Sequence, residues 1–230
     1  MKKSIKEIVN WLGYEIKRKR QNFFSKNKID LIIDVGAHKG EFSKSILSDN
    51  YNTKIISFEP QQKIYSILLK NSKKYKNWII HERCGIGRRK ENLFINVMSE
   101  STCSSYLEPN KKLLSIDPSS KVIKKENTKI ITLNYLFSNK YKLKKNTFLK
   151  IDTQGYDKFV LEGASGILKK ILFVQLEVSI DPLYVNETNY EDMIKYMKKK
   201  GFIVWKIGDI IENLKGKTMS FDIIFKNSRY

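Results

Sequence analysis

The residues best suited to chemistry in this sequence are carboxylates and glycines placed where short apolar runs end. Asp34-Val-Gly-Ala-His-Lys-Gly40 follows the apolar run Ile29–Val35. Gly36 and Gly40 let a backbone approach a ligand closely, and a helix opening near Gly40 offers free N–H groups. Glu59 closes the next apolar run, in Ser57-Phe-Glu-Pro60. It falls about 20 residues beyond the turn, where a carboxylate accepts hydrogen bonds from a ribose diol. Together these features point to a ligand that carries a nucleoside. A pyrophosphate site would present Gly-x-Gly-x-x-Gly, whereas Gly36-Ala-His-Lys-Gly40 has no third glycine in place. Asp34 adds negative charge where a pyrophosphate would gain little. A sulfonium with an ammonium group suits that acid better, which favours S-adenosylmethionine over NAD.

The elements that must hold these residues follow from the spacing of apolar positions. Short apolar runs predict seven strands: Ile29–Val35, Lys54–Phe58, Trp78–His81, Phe148–Ile151, Leu172–Glu177, Phe202–Lys206 and Phe221–Phe225. Helices are expected between them, over about 41–48, 61–73, 157–169 and 190–199. This alternation implies right-handed crossovers and an α/β fold with a mainly parallel sheet. Ser99–Asn127 breaks the rhythm, with Pro109 and Pro118 opposing long helices, and reads as an insertion over the site.

With the elements in place, a family resemblance emerges. The sequence resembles the FkbM family of methyltransferases in Asp34-Val-Gly-Ala-His-Lys-Gly40, Phe58-Glu-Pro60, Leu149-Lys-Ile-Asp-Thr-Gln-Gly-Tyr-Asp157, Val160-Leu-Glu-Gly-Ala164 and Gln175-Leu-Glu177. The stretches run in family order across about Ile29–Phe225. The resemblance implies a class I methyltransferase (Rossmann-like) fold, with a seven-stranded, mainly parallel sheet and helices on both faces. It also implies methyl transfer from S-adenosyl-L-methionine to a hydroxyl, often on a sugar or glycosylated small molecule. Carried over, Asp34, Gly36, Ala37, His38 and Gly40 would surround the methionine part of the donor, and Glu59 would hold its ribose. Cys84 and Gly85 would lie near the adenine, and Asp152 beside the transferring methyl. One departure is Gln154, where the family usually has Glu.

A sugar hydroxyl is a weak nucleophile at neutral pH, so a general base helps. Asp152 is the first candidate, Glu177 the second and His81 a distant third. Ser104-Ser105, within the insertion, could contact donor or acceptor. Asp152 and Glu177 could share a hard cation, but no dense His or carboxylate cluster calls for a metal.

The 230 residues suit a methyltransferase domain over 29–230 behind a basic amphipathic helix within residues 1–28. That helix is expected over residues 4–24, its stripe formed by Ile5, Ile8, Val9, Leu12 and Ile16. Nine basic against two acidic side chains in the first 28 residues would let it touch an anionic membrane, although docking on the domain is the simpler expectation. The net charge of +20 motivates an alternative, methylation of RNA ribose or bases. Against it, no Asn/Asp-Pro-Pro-Tyr/Phe follows the fourth strand, and neither cysteine neighbours a proline. A further alternative is a nucleoside-binding domain at the membrane without catalysis. Cys84 and Cys103 form neither a disulfide framework nor a zinc pattern, and with no signal peptide apparent the expected location is cytoplasmic.

Overall fold

A computed structural model of the protein describes residues 22–49, 51–116, 120–213 and 215–230. Its main sheet contains β1 (Leu31–Val35), β2 (Lys54–Phe58), β3 (Trp78–Ile80), β7 (Thr147–Ile151), β8 (Phe173–Ser179), β9 (Phe202–Glu212) and β10 (Thr218–Asn227). The spatial order is β3-β2-β1-β7-β8-β10-β9. All neighbours pair parallel except β10, which runs antiparallel to both β8 and β9. From β1 the chain winds one way to β2 and β3, then returns to β7 and winds the other way. The carboxyl ends of β1 and β7 therefore form the crevice where open α/β sheets bind ligands.

The strands separate two apolar layers because their side chains alternate across the sheet. On one face Ile32, Ile55, Phe148 and Phe173 meet Ile46 of α2 (Glu41–Ser48) and Leu68 of α3 (Gln62–Ser72). On the other, Ile33, Phe58, Leu149 and Val174 meet α5 (Leu133–Asn139), α6 (Asp157–Gly163), α7 (Ser165–Leu168) and α8 (Tyr190–Lys199). The short α1 (Phe23–Lys26) sits on the first face, where Phe23 and Phe24 make edge contacts with Phe148 and Phe173.

Several expected boundaries change. Asn22 is extended and caps Ser25, so a helix over residues 4–24 cannot run through it; residues 1–21 lie outside the described part. The single helix expected over 157–169 divides at Ala164, beside Gly163, a poor helix former. Strands β9 and β10 are about twice their expected length. The insertion expected over Ser99–Asn127 belongs to a larger regular unit: β4 (Gly85–Ile86) and β5 (Glu91–Met98), which precede it, and β6 (Val122–Ile131), which begins inside it, form a second sheet in the order β4-β6-β5. Between β5 and β6 lies α4 (Lys111–Ile116). β6 escaped notice because Lys124, Lys125, Glu126 and Asn127 break its apolar alternation.

Candidate active site

The turn after β1 is fixed from both sides. The N–H groups of Gly36 and Ala37 donate to the Phe58 carbonyl at 3.1 and 3.0 Å. Gly36 adopts φ +77°, and a Cβ there would lie 1.8 Å from the Asp152 carbonyl oxygen. Only glycine lets the β1 turn lie this close to the end of β7. His38 continues the turn at φ +49° and donates its N–H to Glu59 Oε2 at 2.9 Å. The other oxygen of Glu59 accepts the Gln61 N–H at 2.8 Å. Each oxygen keeps a lone pair for a ribose hydroxyl. Burial pushes the Glu59 carboxyl up to about 7, against the pull of these two donors.

A strap from the insertion fastens over this turn. The His38 ring Nε2 lies 2.9 Å from Ser101 Oγ, and Gln61 Nε2 donates to the Ser101 carbonyl at 3.1 Å. Ser104 Oγ donates to Gln61 Oε1 at 3.1 Å. Beneath it opens a cleft at the carboxyl ends of the strands. One end is formed by Gly36, His38, Asp152, Thr153 and Gln154, the other by Cys84, Gly85, Ile86 and Ile95, with Glu59 between them. Burial lowers the His38 imidazole and pushes the Cys84 thiol up to about 12, so both are neutral at pH 7.

Lys150 sits under the cleft. It is 8% exposed, its ammonium 3.1 Å from Asp152 Oδ2 and 3.7 Å from Asp34 Oδ1. Burial works against this charge, but Asp152 and Asp34 together hold the ammonium above its ordinary value. Burial also opposes the charge on Asp152, yet Lys150 and the Gln154 amide keep its carboxyl below the usual range. Asp34 is wholly buried, and its Oδ2 accepts Ser43 Oγ at 2.8 Å and Ser57 Oγ at 3.0 Å.

At the end of β8 the electrostatics differ. Glu177 accepts Ser220 Oγ at 2.7 Å and the Gln154 amide at 3.3 Å. The same amide nitrogen donates to Asp152 Oδ1 at 3.2 Å, so Gln154 bridges the two carboxylates. Gln154 is itself held in the left-handed region at φ +53°, with its Oε1 3.1 Å from the Tyr184 hydroxyl. Burial, and then the charge of Asp152, push the Glu177 carboxyl up to about 7. Asp157 is raised to about 7 chiefly by burial; it accepts the Thr153 N–H and hydroxyl and so braces the loop. Glu177 lines a second pocket, which shares Gln154 and Thr102 with the first.

A cleft at the β1–β7 switch point, with a carboxylate closing β2, suits a nucleoside-bearing donor. Residues 34–204 match the family model described as the methyltransferase FkbM domain. The chain belongs to the FkbM methyltransferase family. Methyl transfer from S-adenosylmethionine is accordingly its chemistry. No curated protein matches the sequence. Among solved structures, the chain is similar to TrmK of M. capricolum, in complex with S-adenosyl-homocysteine, at 12% identity and a TM-score of 0.51. That match covers 91% of this chain and 70% of the other. Magnesium protoporphyrin IX methyltransferase of Synechocystis PCC 6803, with bound S-adenosylmethionine, is similar at 11% identity and a TM-score of 0.50. It covers 96% of this chain and 77% of the other. At such identities the likeness establishes the class I fold.

In this FkbM-family chain, Gly36, His38, Glu59, Cys84, Gly85 and Asp152 line the first cleft. Asp34, Ala37 and Gly40 are not part of its lining. Asp34 is turned into the sheet toward Ser43, Ser57 and Lys150, below the cleft. Ala37 packs in the core, and a Cβ on Gly40 would meet the Trp78 ring at 2.3 Å, so this glycine serves helix packing. His81 is buried with its Nδ1 2.9 Å from the Tyr141 hydroxyl and lines neither pocket. Lys150 and Gln61 were missed by sequence reasoning. A lysine inside the apolar run Phe148-Leu-Lys-Ile-Asp152 was the available signal for the first; the second carries none. Among the described residues, no group of His, Cys, Asp and Glu could hold a metal ion, and no helix is long and apolar enough to cross a membrane.

Proposed function

We propose that the chain methylates a hydroxyl on a sugar, glycan or glycosylated small molecule, with Glu177 as general base. The observation that carries this reading is the pair of carboxylates bridged by Gln154. Asp152 faces the first cleft, and Glu177 faces a second pocket that shares Gln154 with it. The residues fit the donor: Glu59 keeps free lone pairs for a ribose diol, and Gly36 exposes backbone. Asp152 offers a fixed negative charge for an ammonium or sulfonium, and Cys84 and Gly85 offer an apolar end for a purine. When bound, S-adenosylmethionine supplies an electrophilic methyl group on a positively charged sulfur.

The chain's own residues then have distinct tasks. Gln154 keeps two carboxylates close together without a proton between them. Asp152, held ionised by Lys150, is a weak base and a strong electrostatic partner. Glu177, poised near neutrality, would take the proton of an acceptor hydroxyl held against the donor's methyl group. This reverses the order of the two bases expected from sequence. Much of the remaining acceleration comes from placement, since the sulfonium is already a good leaving group.

The test is methyl transfer from labelled S-adenosylmethionine to a panel of free sugars, glycosides and glycolipids, set beside tRNA and ribosomal RNA. Label appearing as an alkali-stable methyl ether on a glycoside, and lost in Glu177→Gln, is the expected result. Label entering RNA alone would overturn the acceptor class.

A further inference from the structure

The second pocket has a polar end and an apolar end. Gln154, Glu177 and Ser220 form the polar end. Leu113 and Ile116 of α4, Leu183, Ile211 of β9 and Met219 of β10 form the apolar walls, which Glu212 and Asn213 interrupt. Ile116 is 43% and Ile211 52% exposed, so among the described residues these walls run out to the protein surface. A wholly polar acceptor would set its hydroxyls against these walls and leave them unpaired. A flat macromolecular surface would not reach Glu177, because the pocket is concave and Glu177 lies beside Gln154 at its less exposed end.

We propose that the acceptor is an amphiphile, whose hydroxyl-bearing head reaches Glu177 and whose alkyl, isoprenoid or aromatic tail lies along Leu113, Ile116, Ile211 and Met219. This rests on the reading of Glu177 as the base and names the substrate class it serves. The construction of the walls suits such an occupant. Asp181 accepts from Lys112 of α4 at 2.6 Å and from Lys217, just before β10, at 2.5 Å. It therefore joins the two walls through exposed ion pairs, which are weak and screened by salt. Walls fastened this way can part for a bulky tail.

Calorimetry on the full chain saturated with S-adenosylhomocysteine tests the proposal, using n-alkyl β-D-glucosides from butyl to octyl below their micellar concentrations. Glucose is the tail-less control. One site per chain is expected, with Kd falling roughly three- to fourfold for each added CH2 and no measurable binding of glucose. Ile211→Asp and, independently, Ile116→Asp should abolish the dependence on tail length. Ile203→Asp, at an exposed position at the far end of the same strand, should preserve it. A Kd indifferent to tail length, or a tail dependence that survives both pocket variants, would overturn the proposal. Affinity for S-adenosylmethionine, measured on each variant, separates the two readings. Lost donor binding by the unaltered chain would remove the methyltransfer assignment itself, whereas intact donor binding without tail dependence removes only the amphiphile.

Discussion

The two clefts that meet at Gln154 are built by different means. The first is assembled from strand ends and backbone: Gly36 lies against the Asp152 carbonyl, and Glu59 accepts two main-chain N–H groups. The second is assembled from peripheral pieces, α4 and the β9–β10 hairpin, joined across the surface by Asp181. A binding site made from the sheet's central crevice is rigid and common to many chains. One made from outlying elements is free to vary with the acceptor, which explains why a fold shared at about 12% identity says nothing of what is methylated.

That contrast can be broken at several points. The largest effect is expected from Lys150→Ala, which leaves the buried Asp34, and the cleft-facing Asp152, without their cation. Loss of roughly 3–5 kcal/mol of stability is expected, read by urea denaturation. Gly36→Ala comes next: the strained φ and the clash with Asp152 should cost roughly 2–4 kcal/mol and remove measurable donor binding. Glu177→Gln should lower kcat by roughly 10²–10⁴-fold while the Kd for S-adenosylmethionine stays within twofold, since Glu177 belongs to the acceptor side. Asp152→Asn should instead weaken the donor. If Asp152→Asn lowers only kcat, the division of labour between the two carboxylates fails. Asp181→Asn should change the acceptor KM by roughly two- to fivefold, more at low than at high salt, with donor affinity untouched.

Acidity offers a further, gentler test. Glu177 is held at about 7, so kcat should rise as pH increases through 7 and its carboxylate forms. Stability should move the opposite way. Glu59, Asp157 and Glu177 keep protons in the folded state to about 7, whereas unfolded carboxyls lose theirs near 4–4.5. Between those values the folded chain binds more protons, so these groups make stability fall as pH rises. Melting temperatures across pH 4.5–7.5 would show it, and Glu177→Gln should flatten part of the slope.

The same contrast decides what could be read in the sequence. Apolar runs that cross the core announce their strands, so Ile29–Val35, Lys54–Phe58 and Phe148–Ile151 were legible within a residue or two. The acids that close them were legible as well. The contacts of Asp34 with Ser43 and Ser57 were not legible, because these neighbours are brought to it only by the fold. β6 and α4 are half-solvated, so charged residues interrupt their apolar pattern, and the α4 wall of the second pocket went unseen. Tyr184 and Ser220, which orient Gln154 and Glu177, are distant in sequence and carry no local signature.

One edge of the sheet has a bearing on the handling of this protein. β9 is the last strand in the order, and Ile203, Val204, Trp205, Ile207 and Ile210 are all exposed along it. Among the described residues nothing pairs with its outer edge, and a row of backbone donors and acceptors beside apolar side chains invites a neighbouring molecule to add a strand. Three register irregularities against β10 twist the strand, and Lys206 and Asp209 interrupt its apolar run. Replacing Lys206 or Asp209 by Val would lengthen the sticky stretch. The cost would appear as aggregation during concentration or refolding, with no change to either cleft.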